Sequence, residues 1–279
     1  MTAGAATAAL ARDATISEPL LQDRPGPGVV ILRMNRPANR NALSRSMIAA
    51  VHDAIDLLSA DSSVAAVVLA SSGSTFCAGH DLKELSAHRG DVDGGRAFFA
   101  ETVTACSAMM QAILACPKPV IAAVGGVATA AGCQLVASCD LAVASETATF
   151  ATPGVNIGLF CSTPMVALSR NVSRKRAMEM LLLGEILSAH QAAAWGLVNR
   201  VVAADRVEAE SLAMARVIAS KAIATVSVGK AAFYRQIELP LAAAYDDASR
   251  VMVENMMAAD AEEGICAFLD KRPPLWREG

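Results

Sequence analysis

Four short runs of almost uninterrupted apolar residues constrain this chain most: Gly28-Val-Val-Ile-Leu-Arg-Met34, Val64-Ala-Ala-Val-Val-Leu-Ala70, Val120-Ile-Ala-Ala-Val124 and Leu141-Ala-Val-Ala144. A strand with one wet face alternates apolar and polar residues, whereas a strand buried on both faces has no reason to. The segments between the runs have helical spacing. Ser44 is placed to cap a helix whose apolar positions are Met47, Ile48, Val51, Ile55 and Leu58. A longer helix is expected from Gly95 to Cys116, stopped by Pro117 and Pro119, and another over Ala130–Ser138. Buried strands alternating with helices predict an α/β protein with a mainly parallel sheet covered on both faces. From about Asp205 the strand signals vanish, and the rest reads as successive helices to Phe268, broken near Pro240.

Composition excludes several classes. Hydrophobic residues make up 54 % of the 279 residues and charged residues 18 %, the reverse of a disordered chain. Lys and Arg number 24 against 27 Asp and Glu, so no basic excess steers the chain to nucleic acid. A membrane span is not expected either. The most apolar stretch, Val120 to Cys139, is rich in Ala and interrupted by Gly125, Gly126, Gly132 and Gln134. The usual glycine-rich signatures of dinucleotide binders and P-loop NTPases are missing.

The seven cysteines are scattered, with no C-x-x-C, and read as reduced thiols, which sets the expectation of a cytoplasmic protein. Residues 1–22 are expected to be a mobile tail, because Met1 to Leu20 lack a basic start followed by a bulky apolar core and carry few Arg. No His, Cys or carboxylate spacing suggests a metal site, and no cofactor is expected.

Two segments share a strand–glycine–helix layout: Phe76-Cys-Ala-Gly-His-Asp-Leu-Lys83 and Val124-Gly-Gly-Val-Ala-Thr-Ala-Ala-Gly-Cys-Gln-Leu135. A helix start offers unpaired N–H groups and the positive end of a dipole. Two such ends facing each other would hold a developing oxyanion, although glycine-rich turns after strands are most often only turns.

These residues also carry a resemblance. Arg36-Pro-x-x-x-Asn41-Ala-Leu43, Phe76-x-Ala-Gly-x-Asp81-Leu82, Lys118-Pro-Val-Ile-Ala-Ala-Val-x-Gly126 and Ala131-Gly-Cys-x-Leu135 follow one another in order. Cys139-Asp140, Ala189-x-x-Ala-x-x-x-Gly196-Leu197-Val198 and Phe268-x-x-Lys271-Arg272 complete a set running over roughly residues 28–272. Together they resemble the crotonase superfamily, the enoyl-CoA hydratase/isomerase family. Ala128 to Asp140 and Phe150 to Pro164 are similar to one particular branch of it.

The resemblance implies a crotonase spiral of β-β-α turns over residues 23–204 and a helical trimerisation region over 205–279. It implies an acyl-CoA thioester as ligand and a homotrimer or dimer of trimers as the assembly. The thioester oxygen would lie between the backbone N–H groups of His80 and Ala131. Asn39, Arg40, Ala78, Asp81, Leu82 and Lys83 would flank the ligand toward its nucleotide end. Phe160 and Cys161 would line the acyl pocket, and Lys271 would reach the phosphates of a neighbouring subunit's ligand.

The resemblance breaks where the chemistry should be. Hydratases of the family use two glutamates, one to activate water and one to deliver a proton to the α-carbon. Their positions fall at Gln134 and Gly154, and neither residue exchanges a proton near neutral pH. An alternative acid–base position used by some relatives falls at Ser162, which is not acidic. His80 has the right chemistry for proton transfer, but the family uses this residue through its backbone. Asp81 is expected to fix its loop, and Cys161 to be a pocket-wall thiol.

The expected function is therefore an acyl-CoA-binding protein of enoyl-CoA hydratase type, with an intact oxyanion hole and weak or absent hydration. The alternatives are a non-catalytic acyl-CoA binder or sensor and, less favoured, a thioesterase or decarboxylase in which the hole does most of the work.

Overall fold

The computed structural model describes residues 18–276. The elements run β1 (Leu20–Gly26), β2 (Gly28–Met34), α1 (Arg45–Ala60), β3 (Val64–Ser71), β4 (Thr75–Cys77), α2 (Leu82–Ala87), α3 (Arg96–Ala115), β5 (Val120–Val124), β6 (Val127–Thr129), α4 (Ala131–Ser138), β7 (Leu141–Ser145) and β8 (Thr149–Ala151). They continue with α5 (Ser162–Asn171), α6 (Arg174–Leu183), β9 (Leu187–Ser188), α7 (Ala189–Trp195), β10 (Arg200–Val202), α8 (Val207–Ala219), α9 (Ile223–Gln236), α10 (Leu241–Met256) and α11 (Ala259–Leu269).

Two sheets form from alternate strands. The larger has the order β1-β2-β3-β5-β7-β10 and the smaller β4-β6-β8-β9. Each turn of chain gives one strand to each sheet: β3 then β4, β5 then β6, β7 then β8. The core of the larger sheet is parallel from β2 through β10, with only β1 antiparallel at its edge. This is the expected spiral of β-β-α turns.

The apolar runs are continuous because both faces of the larger sheet are covered. Val30, Leu32 and Met34 point into the core shared with α1, α3 and α4. Val29, Ile31, Ala66, Val68, Ile121 and Val143 point the other way, against Val207 and Ala215 of α8. The α1 helix buries Met47, Ile48, Val51, Ile55 and Leu58, and the Ser44 hydroxyl accepts from the Met47 N–H at 3.3 Å. The α3 helix is long and apolar enough to cross a membrane by length and composition. One face of it packs on the core, with Cys106, Met109, Met110 and Ile113 buried in the main cluster.

Three expectations need correction. Leu20, Leu21 and Gln22 lie in β1 rather than in a tail, and the rest of the expected tail, residues 1–17, lies outside the described residues. The strand carries polar Gln22, Asp23 and Arg24, so its apolar signal is weak; backbone pairing with β2 makes it. Ser71–Gly79, whose Ser and Gly content reads as a loop in the sequence, is not all loop, since Thr75–Cys77 pairs with Val127–Ala128. The helical region after residue 205 is also not uniform. α8 closes the core, whereas α9 and α10 bury no residue within the single chain.

Candidate functional site

The two glycine-rich turns meet. Residues 40–43 and 78–81 run side by side: the Ala78 N–H donates to the Arg40 carbonyl at 3.1 Å, the Leu43 N–H to Gly79 at 2.8 Å, and the Asp81 N–H to Leu43 at 3.3 Å. Asn41 anchors this pair from within. Its side-chain oxygen accepts from the Arg36 N–H at 2.8 Å, and its amide donates to the carbonyls of Ser72 and Thr75 at 2.9 and 2.7 Å. The 36–41 and 72–75 segments are thus tied through one buried amide, which accounts for Asn at this place in the first motif.

The second turn packs directly on the first. Thr129 Oγ1 donates to the Ala78 carbonyl at 3.1 Å. Gly79 has φ +85°, and a Cβ there would lie 3.3 Å from the Ala131 nitrogen and 3.1 Å from the Thr129 oxygen. A Cβ on Gly132 would fall 2.1 Å from the Cys77 carbonyl, so the start of α4 touches β4 only because that residue is glycine. Ala130, which precedes α4, holds φ 49° and ψ −119°. Such a conformation is costly for a residue with a side chain, and its presence where two functional turns meet is a recurrent mark of a site.

The N–H groups of His80 and Ala131 donate to none of the turn, loop or cap hydrogen bonds among the described residues. Ala131 is the first residue of α4, so its N–H has no intrahelical partner and sits at the positive end of the helix. The structure therefore brings the turn of Ala78, His80 and Asp81 together with the start of α4 at Ala131.

The His80 ring is mostly buried, and burial lowers its pKa from the usual imidazole value, against smaller opposing effects of the Leu43 backbone and Glu84. Neither ring nitrogen has a hydrogen-bond partner. Asp81 caps α2: its Oδ1 accepts from the N–H groups of Lys83 and Glu84 at 3.2 and 3.3 Å, and its Oδ2 lies 3.8 Å from Arg36. That is the loop-fixing role expected of it. Leu82 and Lys83 are exposed beside it, as are Asn39 and Arg40 on the facing loop.

Gln134 lies one turn along α4 from Ala130 and is 4 % exposed. Its Oε1 is buried without a partner. Gly154 is buried, and its surroundings are tight. A Cβ there would stand 2.8 Å from the Leu159 carbonyl oxygen and 2.9 Å from Cys161 Sγ. The 154–159 loop closes on itself through the Leu159 N–H and the Gly154 carbonyl at 2.9 Å, which brings Cys161 back over the glycine. Burial raises the Cys161 thiol pKa and pushes Cys133 up to about 12, so neither is a ready thiolate.

Ser162 begins α5, is exposed, and donates to the Phe160 carbonyl at 3.3 Å. Phe160 is half exposed. Lys271 lies just past α11, and among the described residues no hydrogen bond or ion pair joins it to the two turns. Sequence reasoning missed Thr152, which is fully buried with an unpartnered hydroxyl, and the Leu159 carbonyl over Gly154. Neither carries a local signal, because both arise from how the loop after β8 returns. Among the described residues, no three His, Cys, Asp or Glu stand close enough to hold a metal ion.

Known proteins resemble the chain in sequence and in fold. The profile of the enoyl-CoA hydratase/isomerase family matches residues 25–279. A mouse protein, enoyl-CoA hydratase domain-containing protein 3, mitochondrial, is 45 % identical over 261 residues, 93 % of this chain and 85 % of its own length. The solved structure of the human protein of that name superposes with a TM-score of 0.87 at 45 % identity, covering 92 % of this chain and 100 % of that one. An enoyl-CoA hydratase structure from Mycobacterium smegmatis gives a TM-score of 0.88 at 54 % identity, covering 92 % and 98 %.

The cytoplasmic expectation is overturned. Five similar proteins, at 45–49 % identity, are named as mitochondrial. The expectation rested on reduced thiols, and all seven cysteines are indeed free. Reduced thiols mark a reducing environment, not one particular compartment.

Proposed function

The chain belongs to the enoyl-CoA hydratase/isomerase family; on that premise we propose that it binds acyl-CoA and polarises the thioester in an oxyanion hole but hydrates a 2-enoyl chain weakly or not at all. The hole consists of the N–H groups of His80 and Ala131. Fixed donors at a helix start act where charge develops and need no reorganisation. The thioester carbonyl is the group they receive.

What the site lacks is the proton transfer that hydration needs. Gln134 orients a water or a ligand through its amide but does not take a proton. The observation that carries the reading is at Gly154. The Leu159 carbonyl and Cys161 Sγ occupy the space a side chain would need, so the second position has no room for a carboxylate on this backbone. Loss of one general acid or base costs about 10²–10⁴-fold, and loss of both compounds it.

The same environment supports a second reading, a non-catalytic acyl-CoA binder or sensor. The cysteines beside the site, Cys133 and Cys161, are held as thiols by burial, and Asp81 is committed to its cap. In either reading Asn39, Arg40, Asp81, Leu82 and Lys83 flank the coenzyme end of the ligand. Lys271 of a neighbouring copy completes it in a trimer or a dimer of trimers.

Mixing the protein with crotonyl-CoA and following loss of the conjugated absorbance tests the reading. Slow or absent loss is expected, together with calorimetric binding of acyl-CoA thioesters. Turnover comparable to that of a two-glutamate hydratase overturns the account of Gln134 and Gly154. Binding of no acyl-CoA overturns the ligand.

A further inference from the structure

The segment Asp81-Leu-Lys-Glu84 opens α2 with the spacing of a capping box, in which the first side chain caps the helix and the fourth reaches back to the first residue's own N–H. Only half of the box forms. Asp81 Oδ1 accepts from the Lys83 and Glu84 N–H groups, as a cap should. The Asp81 N–H donates instead to the Leu43 carbonyl at 3.3 Å, and Glu84 turns to another helix. Its Oε2 accepts from the Arg45 N–H at 2.9 Å. Arg45 is the first residue of α1, so its N–H has no partner within that helix. Glu84 of α2 therefore completes the cap that Ser44 begins on α1.

Two more contacts join the same two helix starts. Arg36 Nη1 donates to the Ser44 hydroxyl and lies 3.8 Å from Asp81 Oδ2, so one guanidinium links both caps. Between the caps, Leu43 and His80 form a parallel bridge. Its bonds turn the Gly79 carbonyl and the Asp81 N–H toward Leu43, which leaves the His80 N–H facing away from it. The direction of that N–H depends on how residues 79–81 are held against 43–45.

We propose that Glu84 is a positioning residue: its bond to the Arg45 N–H locks the start of α2 onto the start of α1 and so fixes the His80 N–H as an oxyanion donor. The proposal rests on the oxyanion-hole reading given above and adds the group that aims one of the two donors. Glu84 touches no reacting atom in this role. A fixed donor works only while its surroundings hold its direction, and a displacement too small to lower affinity is enough to weaken it.

A chromophoric thioester, 4-dimethylaminocinnamoyl-CoA, separates polarisation from affinity, because its absorbance moves to longer wavelength when its carbonyl is polarised. The unmodified protein is expected to bind it with a red shift. Glu84→Met removes the acceptor and is expected to lose about half of that shift while Kd changes by no more than about threefold, since binding energy from the remote coenzyme end is untouched. Glu84→Gln keeps an acceptor oxygen without the charge and is expected to retain the shift. Arg45→Pro deletes the N–H itself, at a helix position that accommodates proline and after a Ser44 already extended at ψ 166°. It is expected to match Glu84→Met, whereas Arg45→Ala, which keeps the N–H, is expected to keep the shift. The Arg45 pair decides the matter if Glu84→Met does not fold. A full shift in Glu84→Met or in Arg45→Pro overturns the proposal and leaves the oxyanion reading standing. A loss in Glu84→Gln equal to that in Glu84→Met assigns the effect to the carboxylate's charge near the His80 ring and also overturns it. Binding without a red shift in the unmodified protein overturns the oxyanion reading and the proposal together, and no binding overturns the ligand.

Discussion

Cys161 Sγ stands 2.9 Å from the point that a Cβ on Gly154 would occupy. The thiol and the Leu159 carbonyl thus occupy the volume that a side chain at position 154 would need. A side chain cannot simply be added there. Gly154→Ala is expected to destabilise the protein by about 1–3 kcal/mol through overpacking, read as a lower denaturation midpoint. Cys161→Ala in the same chain should recover part of that loss, because the two residues share one space. Full additivity of the two changes would show that the Leu159 carbonyl, not the thiol, is the obstruction. By the same logic Gly154→Glu alone, even with Gln134→Glu, is expected to leave hydration of crotonyl-CoA low. A large gain from those two substitutions would mean that the 154–161 loop yields easily.

Ala130 presents the opposite case, a side chain where the backbone favours none. Its φ of 49° and ψ of −119° fall in a region open mainly to glycine. Strain of this kind costs about 1–3 kcal/mol, and a glycine loses roughly 0.5–1 kcal/mol more entropy on folding. Ala130→Gly is therefore expected to raise the thermal midpoint modestly, by the equivalent of about 1 kcal/mol. A lower midpoint would show that the methyl group packs better than its backbone suffers.

The parts of the fold legible from the sequence are those set by burial on both faces. The β2, β3, β5 and β7 strands announce themselves as apolar runs, and α1 by Ser44 and its spaced apolar positions. The three-residue strands β4, β6 and β8 do not, because each is too short to show a period and exists only through pairing with the next turn of the spiral. The site divides in the same way. His80, Ala131, Gln134 and Gly154 stand in motifs that fix their place in the chain. The cover that Leu159 and Cys161 form over Gly154, and the orphaned hydroxyl of Thr152, depend on a loop returning on itself, which no local pattern records.

A buried ion pair fixes the C-terminal helices to the core. Lys230 of α9 donates to Asp140 at 2.7 Å and to the carbonyls of Ile113 and Lys118 at 3.0 and 3.1 Å. Asp140 also accepts from the Val120 N–H at 2.7 Å and the Tyr234 hydroxyl at 2.9 Å. Removing one partner leaves an uncompensated charge in a mostly buried place. Lys230→Met is expected to cost about 3–5 kcal/mol by denaturant titration, and Lys230→Met with Asp140→Asn less than that. Equal losses in the two variants would assign the cost to packing of α9 instead.

The end of the chain is tied down by Glu263, which accepts from Arg272 at 2.6 and 2.9 Å and from the Leu275 N–H at 2.8 Å. These donors lower its pKa from 4.5 to about 2, with the Arg272 hydrogen bond the largest cause. A carboxylate with a depressed folded pKa contributes fully above the unfolded value and loses its contribution as the pH falls through the folded one. The contacts of residues 272–276 should therefore weaken between pH 4.5 and about 2. Trp276, whose indole N–H donates to the Ser220 carbonyl at 2.9 Å, reports the change in fluorescence once Trp195 is replaced by Phe. In Glu263→Gln the released signal should already be present at neutral pH. An unchanged signal in that variant would show that Trp276 is held by its own packing against Gly264.

The last prediction concerns α9 and α10, neither of which buries an apolar residue within the single chain. Phe233, Leu241, Met252, Val253, Met256 and Met257 are all more than half exposed, at 54–80 %. Apolar exposure on this scale is costly in water and normally marks an interface. The chain's small aromatic content, 4 %, bears on the same point, since a core of Ala and Val gains less from each buried side chain than one rich in rings. A closed assembly of identical copies covers such faces by symmetry. Light scattering is expected to give the mass of a trimer or a dimer of trimers. Met252→Lys with Met256→Lys places two charges on α10 and is expected to shift that mass toward the monomer. It should also weaken acyl-CoA binding if Lys271 of a neighbouring copy reaches the ligand. A monomer in the unmodified protein contradicts the assembly. An intact oligomer in the doubly charged variant would move the contact off this face of α10.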